Sequence, residues 1–161
     1  MRCIFKQNSN TDSSIKLNTM QIYTWSKDDY LCTTDKSLLQ IDIIHQFLSE
    51  RSYWAKGRTK AQVINSIEHS ESFGIYKQGQ QIGFARVVSD YTIYAYLLDV
   101  FILEEDRGKG LGKFMMNCIM SHPKLTGLKR WMLGTEDAHG LYAQYGFTPL
   151  KKVQNHMERV K

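Results

Sequence analysis

The stretch from Tyr94 to Met120 constrains the fold more than any other part of the chain. It begins with Tyr94-Ala95-Tyr96-Leu97-Leu98-Asp99-Val100-Phe101-Ile102-Leu103, a dense apolar and aromatic run of strand length. Such a run reads as a strand covered on both faces. Glu104-Glu105-Asp106 and then Arg107-Gly108-Lys109-Gly110-Leu111-Gly112-Lys113 follow. Beyond them Leu111, Phe114, Met115, Cys118 and Ile119 recur at i, i+3, i+4, i+7 and i+8, which is one face of an amphipathic helix. The glycines therefore sit where a buried strand turns into a helix.

That junction has a chemical meaning. The first amides of a helix have no intrahelical partner and carry the positive end of the macrodipole. Glycine lets a phosphate approach them because no Cβ intervenes. Arg107, Lys109 and Lys113 add cations to the same turn. A tight turn with solvated charges is the plainer reading, but alternating glycines, cations and a strand-to-helix junction together point to a diphosphate or polyphosphate site. Spacing narrows the ligand. A nucleoside-triphosphate loop needs Gly, four residues and then Gly-Lys-Ser/Thr, yet Arg107 stands five before Gly112 and Phe114 follows Lys113. A dinucleotide fingerprint needs a third glycine at position 113, which is Lys.

What fits is Arg-x-x-Gly-x-Gly, Arg107 to Gly112, which resembles the cofactor-binding motif of the GNAT acyltransferase superfamily. Downstream, Ala138-His139-Gly140-Leu141-Tyr142-Ala143-Gln144-Tyr145-Gly146-Phe147 is similar to that superfamily's Ala-x-x-Leu-Tyr-x-x-x-Gly-Phe signature. Two motifs in the right order make the resemblance specific over about residues 71 to 150. It implies an α/β fold with a mixed, mostly antiparallel sheet flanked by helices on both sides. It further implies that Arg107, Gly108, Lys109, Gly110, Leu111, Gly112 and Lys113 hold the diphosphate of acetyl-coenzyme A, and that backbone freed near Val100 and Ile102 receives the pantetheine arm. Tyr142 takes the place of the signature tyrosine and is the expected acid for the leaving thiolate. Thr135 stands where many members carry Asn, so the contact expected there has a shorter reach. The expected reaction is direct acetyl transfer to a primary amine of a small molecule, with a protein amine or a non-catalytic acyl-coenzyme A sensor as alternatives.

Asp99 has two readings. It is the one carboxylate on the central strand, where the resembling enzymes often place a base, and a carboxylate among Leu97, Leu98, Val100 and Phe101 suits that role. Equally, it can serve as an ion-pair partner. Arg86 falls on a face with Ile82, Phe84 and Val88, where a bare cation is expensive. Asp90 is the nearer partner for it, with Asp99 or an acceptor carboxylate as the other choices. His139 is a further base candidate beside the Tyr142 turn, and Tyr145 is assigned to packing. In the resembling enzymes the connection between the first two helices borders the acceptor pocket, so Trp54 and Arg58 join Arg86 as candidate acceptor contacts. Anchoring of the loop by Trp54 and solvation of Arg58 are the plainer alternatives.

With 161 residues, 42% apolar and 23% charged, the chain can bury one core without staples. Residues 1 to 19 read as a polar extension and 20 to 161 as a single domain. The net charge is +5, with Lys and Arg dispersed, which fits an anionic cofactor better than nucleic acid. Cys3, Cys32 and Cys118 have no metal-ligand spacing and read as reduced thiols, so neither metal nor disulfide is expected. No run has the length of a membrane span, and the expectation is a cytoplasmic protein without membrane partners. A first strand is expected over Gln21 to Trp25, a helix opened by Thr34-Asp35 and running to Glu50, and a second helix capped by Thr59. A hairpin is expected around Gln78-Gly79-Gln80. Lys129 to Gly134 is expected to join the sheet, a helix to span Asp137 to Tyr145, and Val153 to Val160 to form the last strand.

Overall fold

The structure, a computed structural model, describes residues 21 to 160. The expected polar extension up to residue 19 lies outside the described residues. Six strands run in sequential spatial order: β1 (Thr24–Lys27), β2 (Tyr30–Thr33), β3 (Glu71–Lys77), β4 (Gln80–Ser89), β5 (Tyr94–Ile102) and β6 (Arg130–Met132). Neighbours pair antiparallel except β5 with β6, which is parallel. β2 is absent from the sequence expectation. Its Tyr-Leu-Cys-Thr is too short to show a period, and it exists because the Asp28-Asp29 turn folds it back on β1.

Helices cover both faces. α3 (Leu111–Met120) buries Leu111, Phe114, Met115, Cys118 and Ile119, the face its spacing selects, together with Met116. These pack on Trp25, Cys32, Phe73, Ile75, Val87, Ala95 and Leu97. On the opposite face α1 (Ile41–Gln46) and α2 (Lys60–Glu68) bring Ile44, Val63 and Ile67 against Phe84 and Phe101. Thr59 caps α2 in a capping box with Gln62, as its position predicts.

The helix expected from Asp35 to Glu50 is broken into pieces. Asp35 caps a short 3-10 turn, Lys36–Leu38, and Leu38 is exposed rather than in the core. α1 then widens into a π-helical turn, Phe47–Arg51, closed by Ser52 N donating to the Phe47 carbonyl at 3.0 Å. The widened turn lets consecutive Phe47 and Leu48 both face inward. The expected last strand is absent too. Val153–Asn155 forms a 3-10 turn and the remainder of the tail pairs with nothing in the sheet. β6 offers only three residues of edge, and Val153, Met157 and Val160 are exposed, so the tail has no apolar face to bury. The second signature motif gives α4, His139–Ala143, shorter than expected.

Two irregularities re-aim side chains. A bulge in β4 opposite Ile75/Tyr76 moves Ile82 into the α3-side core, so Ile82 does not share a face with Phe84 as simple alternation predicts. A second bulge lies in β5 between its pairings Leu98↔Arg86 and Phe101↔Phe84. There Asp99 adopts φ 54, left-handed backbone that is uncommon outside glycine but tolerated by Asp. The inserted residue switches the strand's parity. Ala95 and Leu97 face α3, whereas Phe101 faces α1 and stacks on Phe47 with ring centroids 3.9 Å apart.

Candidate functional site

β6 follows β5 only from Tyr94 to Tyr96 and then leaves it. From Leu97 onward the β6-side edge of β5 has no strand partner among the described residues, and a cleft of about 930 Å³ opens between the two. Leu97 to Ile102 line one wall and Leu133 to Ala138 the other. The glycine loop closes one end, and the connection between α1 and α2 borders the other. A strand pair that splays in this way exposes main-chain donors and acceptors along a wall, which is how an extended polar chain is received.

At the loop end Gly108 and Gly110 take φ 77 and 74, and Gly110 is the N-cap of α3. A Cβ at Gly108 would meet nothing within 4 Å, so the cradle is open space in front of the helix amides. That geometry fits a diphosphate, because positive φ turns successive amides toward one concavity and the helix dipole favours an anion there. The cations are sorted in a way the sequence does not show. Lys109 turns aside to Asp106 at 2.6 Å and to the Glu105 carbonyl at 3.0 Å, and its side chain does not line the cleft. Arg107 donates from Nε to the Ile102 carbonyl at 3.0 Å and pairs with Glu104 at 3.3 Å, so it braces the turn between β5 and the loop. The Ile102 carbonyl is therefore already engaged once by the loop's own arginine. Lys113 is exposed on the cleft wall, and Leu111 and Gly112 line it as well.

At the other end three donors converge on one carboxylate. Asp99, 4% exposed, accepts from Trp54 Nε1 at 3.1 Å through Oδ1, and from Arg58 Nη1 at 2.7 Å and Arg86 Nε at 2.5 Å through Oδ2. The bulge explains the convergence, since it swings Asp99 out of strand alternation and toward the face that carries Arg86 and the α1–α2 connection. Arg86 thus pairs with Asp99 rather than with Asp90. The Asp90 carboxylate is already occupied, accepting the amides of Thr92, Ile93 and Tyr94 to close the turn before β5. Arg86 itself lies behind the cleft wall, whereas Trp54, Arg58 and Asp99 line it. One carboxylate against two guanidiniums leaves the cluster with an excess positive charge. Arg58 is the more exposed of the two, its side chain 23% accessible against 11% for Arg86.

Tyr142, 8% exposed, reaches the cleft from α4. Its hydroxyl makes no hydrogen bond among the described residues and is available to a ligand. Burial, reinforced by Tyr53 and Asp137, pushes its pKa up to about 12. Tyr145 behaves as the packing residue expected of it, its hydroxyl 2.9 Å from both the Lys113 carbonyl and Asn117 Oδ1. Thr135 also lines the cleft, but its hydroxyl accepts the Ala138 amide at 3.1 Å, so it helps shape the entry to α4. His139 is exposed and is not among the lining residues.

Several participants carry no sequence signal of their own. Tyr53 Oη accepts the Glu136 amide at 2.8 Å, a clasp across the cleft from the α1–α2 connection to the loop that follows β6. Arg51 reaches Glu104 at 3.0 Å, the same carboxylate that holds Arg107. Glu136 and Asp137 line the cleft as exposed carboxylates. Among the described residues no group of three or more His, Cys, Asp or Glu is placed to hold a metal ion, and no helix is long and apolar enough to cross a membrane.

Residues 68–149 match the family model described as an acetyltransferase (GNAT) domain. A Gibberella zeae protein provisionally named an acetyltransferase is 30% identical over 150 residues, spanning 80% of this chain and 84% of its own length. A crystal structure from Xanthomonas campestris pv. campestris, of a protein provisionally assigned as a GNAT-family acetyltransferase, is 51% identical. It superposes with a TM-score of 0.80 over 82% of this chain and 93% of that one. Glucosamine-6-phosphate N-acetyltransferase from Arabidopsis thaliana, at 17% identity and TM-score 0.55 over 87% of this chain and 95% of its own, shares the fold alone.

Proposed function

The chain belongs to the acetyltransferases of the GNAT family, and from that premise we propose that its cleft binds acetyl-coenzyme A and passes the acetyl group directly to a primary amine of a small molecule. The observation that carries this reading is the parting of β5 from β6 beyond Tyr96 beside an open glycine cradle at the start of α3. The acetyl thioester, when bound, supplies an activated acyl group. The chain's own residues position it. The amides at Gly108 to Gly112 face the diphosphate, the free edge of β5 around Val100 faces the pantetheine arm, and Tyr142 stands across the cleft from that edge.

Magnitudes decide what Tyr142 does. With a pKa near 12 against roughly 8.5 for a thiol, full proton transfer to the leaving sulfur is uphill. The phenol therefore acts by donating a hydrogen bond to the sulfur as charge develops there, and the proton follows from the acceptor's ammonium. Asp99 is a weak choice for the group that takes that proton first, because both its oxygens already accept from Trp54, Arg58 and Arg86. Its role in this reading is to hold Trp54 and Arg58 at the acceptor end. The exposed carboxylates of Glu136 and Asp137 are the groups free to receive the ammonium proton. The partly exposed guanidinium of Arg58 and the Trp54 and Tyr53 rings suit an acceptor with an anionic or amino-acid-like end. The buried thiols of Cys32 and Cys118 support a reducing, cytoplasmic setting.

The engagement of Asp99 also favours a second reading, an acyl-coenzyme A sensor without turnover. A thiol-release assay separates the two. Acetyl-coenzyme A is supplied with a panel of small amines, amino acids and peptides carrying free N-termini or lysines. Small-amine-dependent release supports the transferase, release with peptides alone moves the acceptor to a protein, and tight binding without release for any amine establishes the sensor.

A further inference from the structure

The tip of the first hairpin lies beside the glycine loop, although nothing in its sequence marks it. Lys27 ends β1 and pairs with Tyr30 across the Asp28-Asp29 turn. Its Nζ lies 3.4 Å from where a Cβ on Gly110 would stand, so the ammonium is in contact range of the N-cap of α3. Tyr30 is packed against the α3-side core, with Lys77 Nζ over its ring at 5.6 Å, and this anchors the tip beside the loop. The exposed Asp28 and Asp29 form no ion pair with Lys27 among the described residues. Meanwhile two of the loop's own cations are committed elsewhere, Lys109 to Asp106 and Arg107 to the Ile102 carbonyl and Glu104.

An ammonium beside the open start of a helix, with no ion-pair partner among the described residues, is placed to neutralise an anion seated there. We propose that Lys27 is a specificity-determining cation for the diphosphate of the acyl carrier, clamping it from the hairpin side while the α3 amides hold it from below. The loop thereby receives from a distant strand the charge that Lys109 and Arg107 do not supply. This inference rests on the acetyl-coenzyme A reading of the cleft.

The test is titration calorimetry of coenzyme A, 3′-dephospho-coenzyme A and pantetheine into the wild type, Lys27→Met and the control Lys60→Met, whose lysine is exposed on α2 and pairs with Asp42. Thermal unfolding of each variant checks that the fold is intact, which an exposed Lys27 predicts. The expected result is that Kd rises about tenfold in Lys27→Met for both nucleotide ligands, is unchanged for pantetheine, and is unchanged throughout in Lys60→Met. The loss should shrink as salt is raised, because the charge is at the surface. An unchanged Kd for coenzyme A in Lys27→Met overturns the proposal, and so does a loss confined to coenzyme A with its 3′-phosphate. Failure of the wild type to bind coenzyme A at all refutes the functional reading on which the proposal rests.

Discussion

At the loop end of the cleft, seven consecutive residues from Arg107 to Gly112 and Lys113 supply most of what surrounds the cradle. At the end proposed for the acceptor, Asp99 is held by side chains 45, 41 and 13 residues away, those of Trp54, Arg58 and Arg86. The first end works through backbone: positive φ at Gly108 and Gly110 and the unpartnered amides of α3. The second works through side-chain charge in a nearly dry setting, with the Asp99 side chain 1% exposed. The difference teaches where each end is vulnerable. Changes at the loop should cost chiefly ligand affinity, with folding losses of no more than about 1 to 2 kcal/mol where a left-handed glycine is replaced, whereas changes at Asp99 should cost more folding stability as well as function.

The largest effect that sharpens this contrast is at Asp99. Asp99→Ala leaves two guanidiniums facing a site from which their only shared carboxylate has gone, and removing one partner of a buried ion pair typically costs about 3 to 5 kcal/mol. Arg58 is partly solvated, which places the expected loss near the lower figure. Asp99→Asn tolerates the left-handed backbone almost as well, so any loss in it that matches Asp99→Ala on denaturant unfolding belongs to charge and not to the bulge. Equal stability of all three proteins would break the contrast.

Next is Tyr142→Phe, which is expected to lower kcat about a hundredfold with KM for acetyl-coenzyme A little changed, since the lost hydrogen bond strengthens only as the sulfur leaves. Its stability should be unaffected, because the hydroxyl has no partner among the described residues. With a pKa near 12 the phenol stays protonated across the usual assay range, so kcat against pH should show no tyrosine limb below about pH 10.5. A fall in kcat already at pH 9 that Tyr142→Phe abolishes would contradict the assignment.

Smaller again is Gly110→Ala. A left-handed φ of 74 costs an L-residue about 1 to 2 kcal/mol. The expectation is roughly tenfold weaker acetyl-coenzyme A binding by calorimetry, with little change in kcat at saturation.

The smallest effect on the cleft itself comes from a residue outside both ends, which serves as their control. His122 is fully buried between Tyr23, Trp25 and Phe73, neither ring nitrogen has a hydrogen-bond partner among the described residues, and burial followed by Lys124 lowers its pKa to about 4. Glu71, 3.9 Å away, does not reverse the shift. The unfolded chain takes up a proton near pH 6.5 that the folded chain refuses until about pH 4. The folded state is therefore favoured in full above 6.5 and loses about 1.4 kcal/mol per pH unit on descending through that window. His122→Phe should flatten the acid limb of stability while leaving coenzyme A affinity untouched.

The same contrast explains what could be read in advance. The glycine loop, α3 and the α4 signature were legible because their chemistry is contiguous: spacing alone excluded other phosphate loops, and the apolar period of Leu111 to Ile119 selected the buried face. The Asp99 cluster was only half legible. That Arg86 needs a partner follows from its strand, but which partner depends on two bulges, in β4 and β5, and on an aspartate adopting left-handed backbone. Neither has a local signature. Trp54 and Arg58 entered by resemblance alone, and Tyr53 and Lys27 were silent because their roles are set by elements that approach only in the fold. The last strand failed for a related reason, since alternation in Val153 to Val160 cannot create a strand where β6 is too short to receive one.

Hydrogen exchange with and without acetyl-coenzyme A tests most directly whether one cleft joins these two unlike ends. The account predicts slowed exchange of amides in 107 to 113 and in the free edge of β5, 97 to 102, with residues 51 to 58 protected further only when an acceptor is added. No protection at either segment, or protection confined to a surface away from the cleft, would contradict it.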